Sequence, residues 1–205
     1  MSVQIRRQHG INHKRIHRVY CGLGLNLRKK PKKRRIHRHA VPLDVPSKPN
    51  VSWAMDFMHD SLLDGQAVRT LYIVDEASRE ALAIQAGVSL PAPAVVRTLD
   101  RLTQRHGKPK QIRTDNGPEF ISKTLSEWAE TNDVKLVHIQ PGKPAQNAIV
   151  ERFNRTYRED VLDMYLFRNL GELRDKTAQF LETYNNVRPH EALGNLTPIE
   201  TRMAA

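Results

Sequence analysis

The segment IRTDNGPEF, residues 112–120, decides how the rest of this chain folds. Residues 112–114 have the pattern of a short strand, and the Asn-Gly-Pro at 116–118 is a strong strand breaker. Asp115 is therefore predicted at the end of a strand, where a polar turn begins. A second segment, QPGKPAQNAIVERFN at 140–154, places Glu151 near the start of a long helical pattern. The two segments supply one carboxylate from a strand end and one from a helix.

A third carboxylate, Asp56, lies inside the apolar run VSWAMDFM at 51–58. A run that is apolar on both faces is typical of a central strand, where a charge is costly without a partner. Its neighbours in the sequence include no Arg or Lys, although a basic residue from elsewhere in the chain is an alternative partner. Divalent metal bound by the three carboxylates would compensate the charge and support phosphodiester chemistry. That is the leading hypothesis.

The net charge of +11 indicates a polyanionic partner, most simply nucleic acid. Residues 1–40 contain 13 Lys and Arg residues and no acidic residue, so the whole excess lies there. The alternative is a solvated arm without a partner. The single cysteine, Cys21, excludes an intramolecular disulfide and a cysteine-rich zinc site. No apolar run suggests a membrane span, so we expect a cytoplasmic protein.

The basic N-terminal segment is predicted to bind DNA. Residues 12–20 have the pattern of a short basic helix, with Asn12 as N-cap, similar to the last helix of a helix-turn-helix. No helix is predicted before it, because residues 1–10 have little pattern, so the unit is expected to be incomplete. The basic block at 29–35 is predicted to lie along phosphates. The candidate DNA contacts of this segment are His13, Lys14, Arg15, Arg18, Lys29, Lys30, Lys32, Lys33, Arg34 and Arg35.

Beyond this segment the predicted elements follow the order βββαβαβα. The predicted strands are 51–58, 67–74, 80–88, 111–114 and 134–139, and the predicted helices are 94–106, 118–132, 145–166 and about 170–185, before a turn-rich tail. This order is that of a ribonuclease-H-like α/β fold, a mixed five-stranded sheet flanked by helices. The expected domains are a basic segment at 1–40, a linker at 41–50, a catalytic core at 51–166 and a C-terminal helix with its tail at 167–205.

One face of the helix around Glu151 carries functional groups. Asn147, Glu151, Asn154 and Arg158 fall within about 60° of one another at 100° per residue. The apolar stripe lies on the other side of the helix, from Ile149 to Val161. One acid with amides and a guanidinium suits a face that binds metal and approaches phosphate. An ordinary solvated helix face is the alternative interpretation.

Four motifs of the chain resemble one family. They are WAMD at 53–56, RTDNGPEF at 113–120, QNAIVERFN at 146–154 and YNNVRPH at 184–190. They resemble the integrase-core transposases of bacterial insertion sequences, relatives of retroviral integrase with an Asp-Asp-35-Glu triad. Thirty-five residues separate Asp115 from Glu151 in this sequence, as that pattern requires. The resemblance covers residues 11–200.

The resemblance implies a metal-dependent transposase that cleaves DNA and transfers strands. Asp56, Asp115 and Glu151 would bind Mg²⁺ or Mn²⁺, with two ions expected, and Gly117 would shape the loop after the second acid. No covalent protein–DNA intermediate is implied. The further DNA contacts expected near the triad are Asn116, Lys143, Gln146, Asn147, Asn154 and Arg158.

The resemblance also implies partners and a location. The expected partners are double-stranded DNA at the element ends and the target, further copies of this chain on DNA, and an upstream-frame helix-turn-helix protein of the same element. We expect a bacterial, nucleoid-associated protein that binds no membrane.

Two other interpretations remain open at this point. The first is a catalytically silent DNA-binding remnant of a transposase that interferes with an intact one, which the incomplete N-terminal unit favours. The second is a host nuclease of the ribonuclease-H type, against which the basic helix and the YNNVRPH motif both argue.

Overall fold

The computed structural model describes residues 2–25, 46–140 and 147–205. Five strands form one sheet, and helices cover both of its faces. The strands are β1 Ser52–Ser61, β2 Ala67–Asp75, β3 Ala81–Gly87, β4 Gln111–Thr114 and β5 Lys135–His138. The helices are α1 Ser2–His9, α2 His13–Gly22, α3 Ala92–His106, α4 Lys123–Asn132, α5 Ala148–Tyr157, α6 Leu170–Asn186 and α7 Pro198–Met203, with a π-helical turn at Arg158–Leu162 and a 3-10 turn at Glu191–Leu193.

The strands lie in the order β3-β2-β1-β4-β5, so β1 is central. β1 pairs antiparallel with β2 through nine residue pairs, from Trp53–Asp75 to Ser61–Ala67. On its other side β1 pairs parallel with β4, and this ladder ends at Ala54–Arg113. β5 extends the sheet in parallel beyond β4. The mixed five-stranded sheet predicted from the sequence is confirmed.

Side chains alternate across β1 and build a separate core on each face of the sheet. Trp53 and Met55 pack with the residues of α3 and α4, and both are fully buried. Ala54 lies on the opposite face, with Phe153 of α5 and Phe180 of α6. Asp56 and Asp60 alternate on β1 with Ala54, so both acids lie on the face that α5 and α6 cover.

Local chemistry sets several helix ends. The side chains of Asn12, Ser122 and Asn169 each accept a hydrogen bond from the first turn of the following helix. Thr197 and Glu200 form a capping box at the start of α7. These caps satisfy backbone N–H groups that a helix start otherwise leaves unpaired.

Several predicted boundaries differ from the structure. α1 precedes and packs on α2, so the prediction that no helix precedes the basic helix was wrong. α4 begins at Lys123 rather than at residue 118, because Phe120 and Ile121 donate to the Gly117 carbonyl in a turn. The helix predicted at 145–166 changes to a π-helical turn after Tyr157. The predicted turn-rich tail contains α7.

α1 is held by the C-terminal part of the chain. Arg7 forms an ion pair with Glu200 of α7 at 3.0 Å, and Gln4 Nε2 donates to the Val187 carbonyl at 3.2 Å. Within the described residues, no helix is long and apolar enough to cross a membrane.

Candidate active site

Asp56 lies in the middle of β1 and is half-buried. Its Oδ1 accepts from the Phe57 N–H at 2.7 Å, and its Oδ2 accepts from Asn154 Nδ2 on α5 at 2.7 Å. Burial raises the pKa of Asp56 to about 6, and the negative charges of Asp115 and Glu151 act in the same direction. Asp56 has no ion-pair partner among the Arg and Lys side chains that the structure describes.

Asp115 follows the last residue of β4 and begins a tight turn. Its Oδ1 accepts from the Gly117 N–H at 2.9 Å, which fixes the orientation of the carboxylate. A Cβ at position 117 would lie 3.0 Å from that same oxygen, so a glycine suits this close approach. The side chain of Asn116 donates to the Ile139 carbonyl at 3.1 Å and ties the turn to the end of β5.

Glu151 lies in the first turn of α5 and is exposed. The helix is anchored on its opposite side by Val150, Phe153 and Tyr157, all fully or almost fully buried. Asn154, one turn after Glu151, binds Asp56, so the face that carries Glu151 lies toward β1. The predicted division of this helix into a core stripe and a polar face is confirmed as far as Tyr157.

The three carboxylates interact electrostatically but do not touch. Over residues 2–25, 46–140 and 147–205, no group of three or more His, Cys, Asp or Glu side chains is close enough to hold a metal ion. Like charges repel, and a closer approach of three carboxylates requires a compensating cation. The buried Oδ1 atoms of Asn154 and Asn147 have no hydrogen-bond partner. The site therefore offers hard oxygen donors, the type that Mg²⁺ and Mn²⁺ prefer.

Comparison with known proteins identifies the family. The Integrase core domain family matches residues 46–144, and a second Integrase core domain family matches residues 132–198. An uncharacterized protein of insertion element IS407 from Burkholderia multivorans is 41% identical over 189 residues, which cover 92% of this chain and 68% of that protein. This chain belongs to the integrase-core transposases of insertion elements.

A second relative of this transposase is an uncharacterized protein of insertion element IS476 from Xanthomonas euvesicatoria. It is 36% identical over 190 residues, which cover 93% of the chain. The transposase chain spans 55% of the length of that relative.

Solved structures support the fold of the transposase. A chain of the simian T-cell lymphotropic virus intasome in complex with PP2A regulatory subunit B56 gamma has a TM-score of 0.68 at 18% identity. The match covers 96% of this chain and 68% of the intasome chain. The HTLV-2 integrase catalytic core domain in complex with magnesium has a TM-score of 0.63 at 21% identity and covers 76% of this chain and 97% of its own. The ribonuclease-H-like fold predicted from the sequence is therefore confirmed.

The predicted DNA contacts of the transposase differ in their exposure. His13, Lys14, Arg15 and Arg18 are all exposed on α2. Asn116 is exposed, whereas Asn147 is buried at the start of α5. Eight residues lie outside the described part of the chain: Lys29, Lys30, Lys32, Lys33, Arg34, Arg35, Lys143 and Gln146.

Two residues of the predicted DNA-contact face form hydrogen bonds or ion pairs within the transposase itself. Asn154 donates to Asp56, as described above. Arg158 lies 3.5 Å from Asp60 and 3.6 Å from Asp163, and it also donates to the His59 carbonyl at 3.1 Å. Both side chains connect α5 and the turn after it to β1.

Sequence reasoning missed a group of residues beside Asp115. Arg69 of β2 forms an ion pair with Glu119, and its guanidinium lies over the Phe57 ring. His138 of β5 lies 3.1 Å from Thr114 Oγ1 and 3.3 Å from the Asp115 carbonyl oxygen. The only signal in the sequence was proximity, since Phe57 follows Asp56 and Glu119 follows the turn at Asp115.

Proposed function

We propose that this chain carries the catalytic centre of its transposase, with Asp56, Asp115 and Glu151 as the acids that hold divalent metal for DNA cleavage and strand transfer. The observation that carries the proposal is the state of Asp56. This carboxylate is half-buried, has no basic partner among the described residues, and experiences the charges of two further acids from a turn and a helix. A structural acid at such a position would be expected to have a cation beside it.

Mg²⁺ or Mn²⁺ is the cofactor that this donor set supports. The candidate ligands are carboxylate oxygens, and the free amide oxygen of Asn154 adds a neutral donor beside them. When bound, two such ions would activate the attacking oxygen and stabilise the leaving 3′ oxygen.

The remaining residues of the site orient these carboxylates. Asn154 and the Phe57 N–H donate to different oxygens of Asp56, which leaves the outer lone pairs of the carboxylate available. The Gly117 N–H donates to one oxygen of the Asp115 carboxylate and so orients that carboxylate. The reaction we propose needs no protein nucleophile, because a water molecule or a DNA 3′-hydroxyl attacks the phosphodiester.

We further propose double-stranded DNA as the substrate, bound partly through the basic N-terminal segment. The exposed basic face of α2 carries four of the expected contacts, and the 13 basic residues of 1–40 supply the charge that phosphate binding needs. Joining of two element ends would require more than one copy of the chain, and an additional helix-turn-helix protein would supply end-sequence recognition.

Strand transfer by a matched pair of variants tests this proposal. A labelled duplex that carries the element's own end is incubated with plasmid DNA and Mg²⁺, with EDTA as the metal-free control. Glu151→Gln should abolish joining and leave DNA affinity nearly unchanged, because it keeps the shape of the side chain and removes its charge. Glu159→Gln, an exposed acid in the following π-helical turn, should join at the wild-type rate.

Other outcomes would contradict the proposal. Wild-type joining by Glu151→Gln would refute the assignment of the third acid. Salt-sensitive DNA binding without joining by the wild-type chain, even with added helix-turn-helix protein, would favour the silent remnant.

A further inference from the structure

The β1–β4 ladder ends just before the two acids that it supports. Its last residue pair is Ala54–Arg113, and Asp56 and Asp115 each lie two positions beyond that pair. Past this point, β1 continues beside β2, while β4 gives way to the turn at Asp115. Strand pairing therefore does not fix the distance between the Asp56 and Asp115 carboxylates.

A group of four side chains joins β1 and β2 to the turn that follows β4. It consists of Phe57, Arg69, Glu119 and Phe120, and we refer to it as the loop clamp. The Phe57 and Phe120 rings are stacked with centroids 5.0 Å apart and planes inclined by 21°. The Arg69 Cζ lies 4.3 Å from the Phe57 centroid, and Arg69 also forms an ion pair with Glu119.

The loop clamp connects neighbours of both acids. Phe57 follows Asp56 directly in β1, and Phe120 ends the turn that Asp115 begins. Phe120 is almost fully buried, and the side chains of Arg69 and Glu119 are 23% and 15% exposed. A guanidinium that pairs with a carboxylate and also covers a ring is fixed in direction as well as in distance.

The charge of Glu119 is maintained at neutral pH. The hydrogen bond from Arg69 holds the pKa of Glu119 below its usual value, so the carboxylate stays ionised wherever a transposase would act. Ser122 Oγ donates to the Glu119 carbonyl at 2.8 Å and also caps α4, which connects the pair to the start of that helix.

We propose that Arg69 and Glu119 are positioning residues that, with Phe57 and Phe120, hold the turn at Asp115 against β1 and so set the separation of the Asp56 and Asp115 carboxylates. This inference rests on the proposed function, since the separation matters only if the two acids share metal. An ordinary stabilising ion pair would strengthen the fold without affecting metal binding.

Three variants of the loop clamp test the inference. Arg69→Met keeps a side chain of similar length over Phe57 but removes the charge, Glu119→Gln removes the opposite charge, and Arg69→Lys is the conservative variant. Arg202→Met is the matched control. It removes an Arg–Glu pair at 2.8 Å between Arg202 of α7 and Glu80, which precedes β3.

Two measurements on the full chain separate positioning from stability. Amide hydrogen exchange of Gly117, Phe120 and Ile121 is measured without metal, and Mn²⁺ binding is measured by calorimetry alongside Mn²⁺-dependent joining. In Arg69→Met and Glu119→Gln, exchange in the turn should rise by about fivefold or more. The Mn²⁺ concentration for half-saturation should rise by about tenfold. Arg69→Lys should recover part of both effects, and Arg202→Met should show neither.

The outcomes distinguish the inference from the proposed function. Unchanged exchange in the turn, or an unchanged Mn²⁺ requirement, in Arg69→Met and Glu119→Gln would overturn the inference while the wild-type chain remains an active transposase. A wild-type chain that binds no Mn²⁺ and joins no DNA would instead overturn the proposed function. Equal effects in Arg202→Met would identify the loop clamp as a general stabilising contact and would also overturn the inference.

Discussion

Two acids at β1 have opposite surroundings: Glu76, which follows β2 and lies beside the start of β1, and Asp56 in the middle of β1. Beside the start of β1, Glu76 is fully buried, accepts a hydrogen bond from Ser52 Oγ and lies 3.3 Å from Arg113 Nε. Gln111 Nε2 donates to the same Ser52 hydroxyl at 3.1 Å. Further along the strand, Asp56 has two hydrogen-bond donors and two acidic neighbours, and no basic partner among the described residues.

The difference separates a structural acid from a candidate functional one. The charge of Glu76 is compensated within the protein, so it needs nothing from outside. The charge of Asp56 is opposed by burial and by two more acids, so its ionised form costs folding energy. A cation from solution that compensated this charge would couple stability to metal binding at Asp56 and not at Glu76.

Removal of the Glu76 charge should produce the largest loss of stability. Glu76→Gln removes the charge of a fully buried carboxylate that pairs with the Arg113 guanidinium, which is only 11% exposed. We expect a loss of about 3–5 kcal/mol in the free energy of unfolding, as for other broken buried ion pairs. Denaturant unfolding measures the change. Glu127→Gln, which removes an exposed i,i+4 pair with Lys123, is the control, and an equally small loss in both variants would contradict the comparison.

Removal of the Asp56 charge should increase the free energy of unfolding, whereas removal of the Glu76 charge should decrease it. Burial raises the pKa of Asp56 to about 6 in the folded chain from an ordinary value of 3.8, so the ionised carboxylate destabilises the fold increasingly from about pH 4 to pH 6. Asp56→Asn should therefore raise the free energy of unfolding at pH 8 by up to about 3 kcal/mol without metal. The gain should vanish at pH 3, where both states are protonated.

Metal addition completes this second test. Mg²⁺ should stabilise the wild-type chain at pH 8 and leave Asp56→Asn unchanged, while joining by the variant is lost. Thermal unfolding with and without Mg²⁺ measures the difference. If Asp56→Asn is less stable than the wild-type chain at pH 8, the unfavourable charge at this position is refuted.

Asn154 should have an intermediate effect. Asn154→Ala removes one of two hydrogen bonds to Asp56, and we expect a loss of about 1 kcal/mol in stability. Because this hydrogen bond lowers the pKa of Asp56, the pH at which the Asp56 carboxyl ionises should move upward. Carboxyl NMR of labelled Asp measures the change. Asn186→Ala, which removes an exposed side-chain hydrogen bond within α6, should leave the Asp56 titration unaltered.

Arg158 should have the smallest effect on stability. Its side chain is 40% exposed and its two ion pairs are 3.5 and 3.6 Å long, so Arg158→Met should cost less than about 1 kcal/mol. If this arginine also contacts DNA, as the sequence predicted, the salt dependence of DNA binding should become shallower. An unchanged salt slope would leave Arg158 with only its role in joining the π-helical turn to β1.

The sequence predicted the fold well where apolar periodicity was strong. The strand around Asp56 was recognisable because burial on both sides of a sheet leaves a long apolar run, and the core stripe of α5 was recognisable from its helical period. α1 was missed because Ser2–His9 has few apolar residues and is held by contacts with α2 and with the C-terminal residues Val187 and Glu200. Tertiary contacts of this kind leave no periodic signal.

The site was predicted in part. The three acids were recognisable from their spacing, but the partners of Asp56 were not, because Asn154 is 98 positions away in the chain. Asn154 and Arg158 stay predicted DNA contacts, and the sequence did not indicate that both side chains also contact β1. α7 did leave a signal, since Thr197 and Glu200 have the spacing of a capping box.

The nine-pair β1–β2 ladder holds the backbone of Asp56 more firmly than the backbone of the other two acids is held. Asp56 pairs with Tyr72 near the middle of that ladder, so it cannot shift without the breaking of backbone hydrogen bonds between β1 and β2. Asp115 and Glu151 lie outside strand pairing, one in a turn and one in the first turn of a helix. In the proposed metal site, Asp56 is therefore the fixed reference point, and adjustment to a substrate would require the other two acids to move toward it.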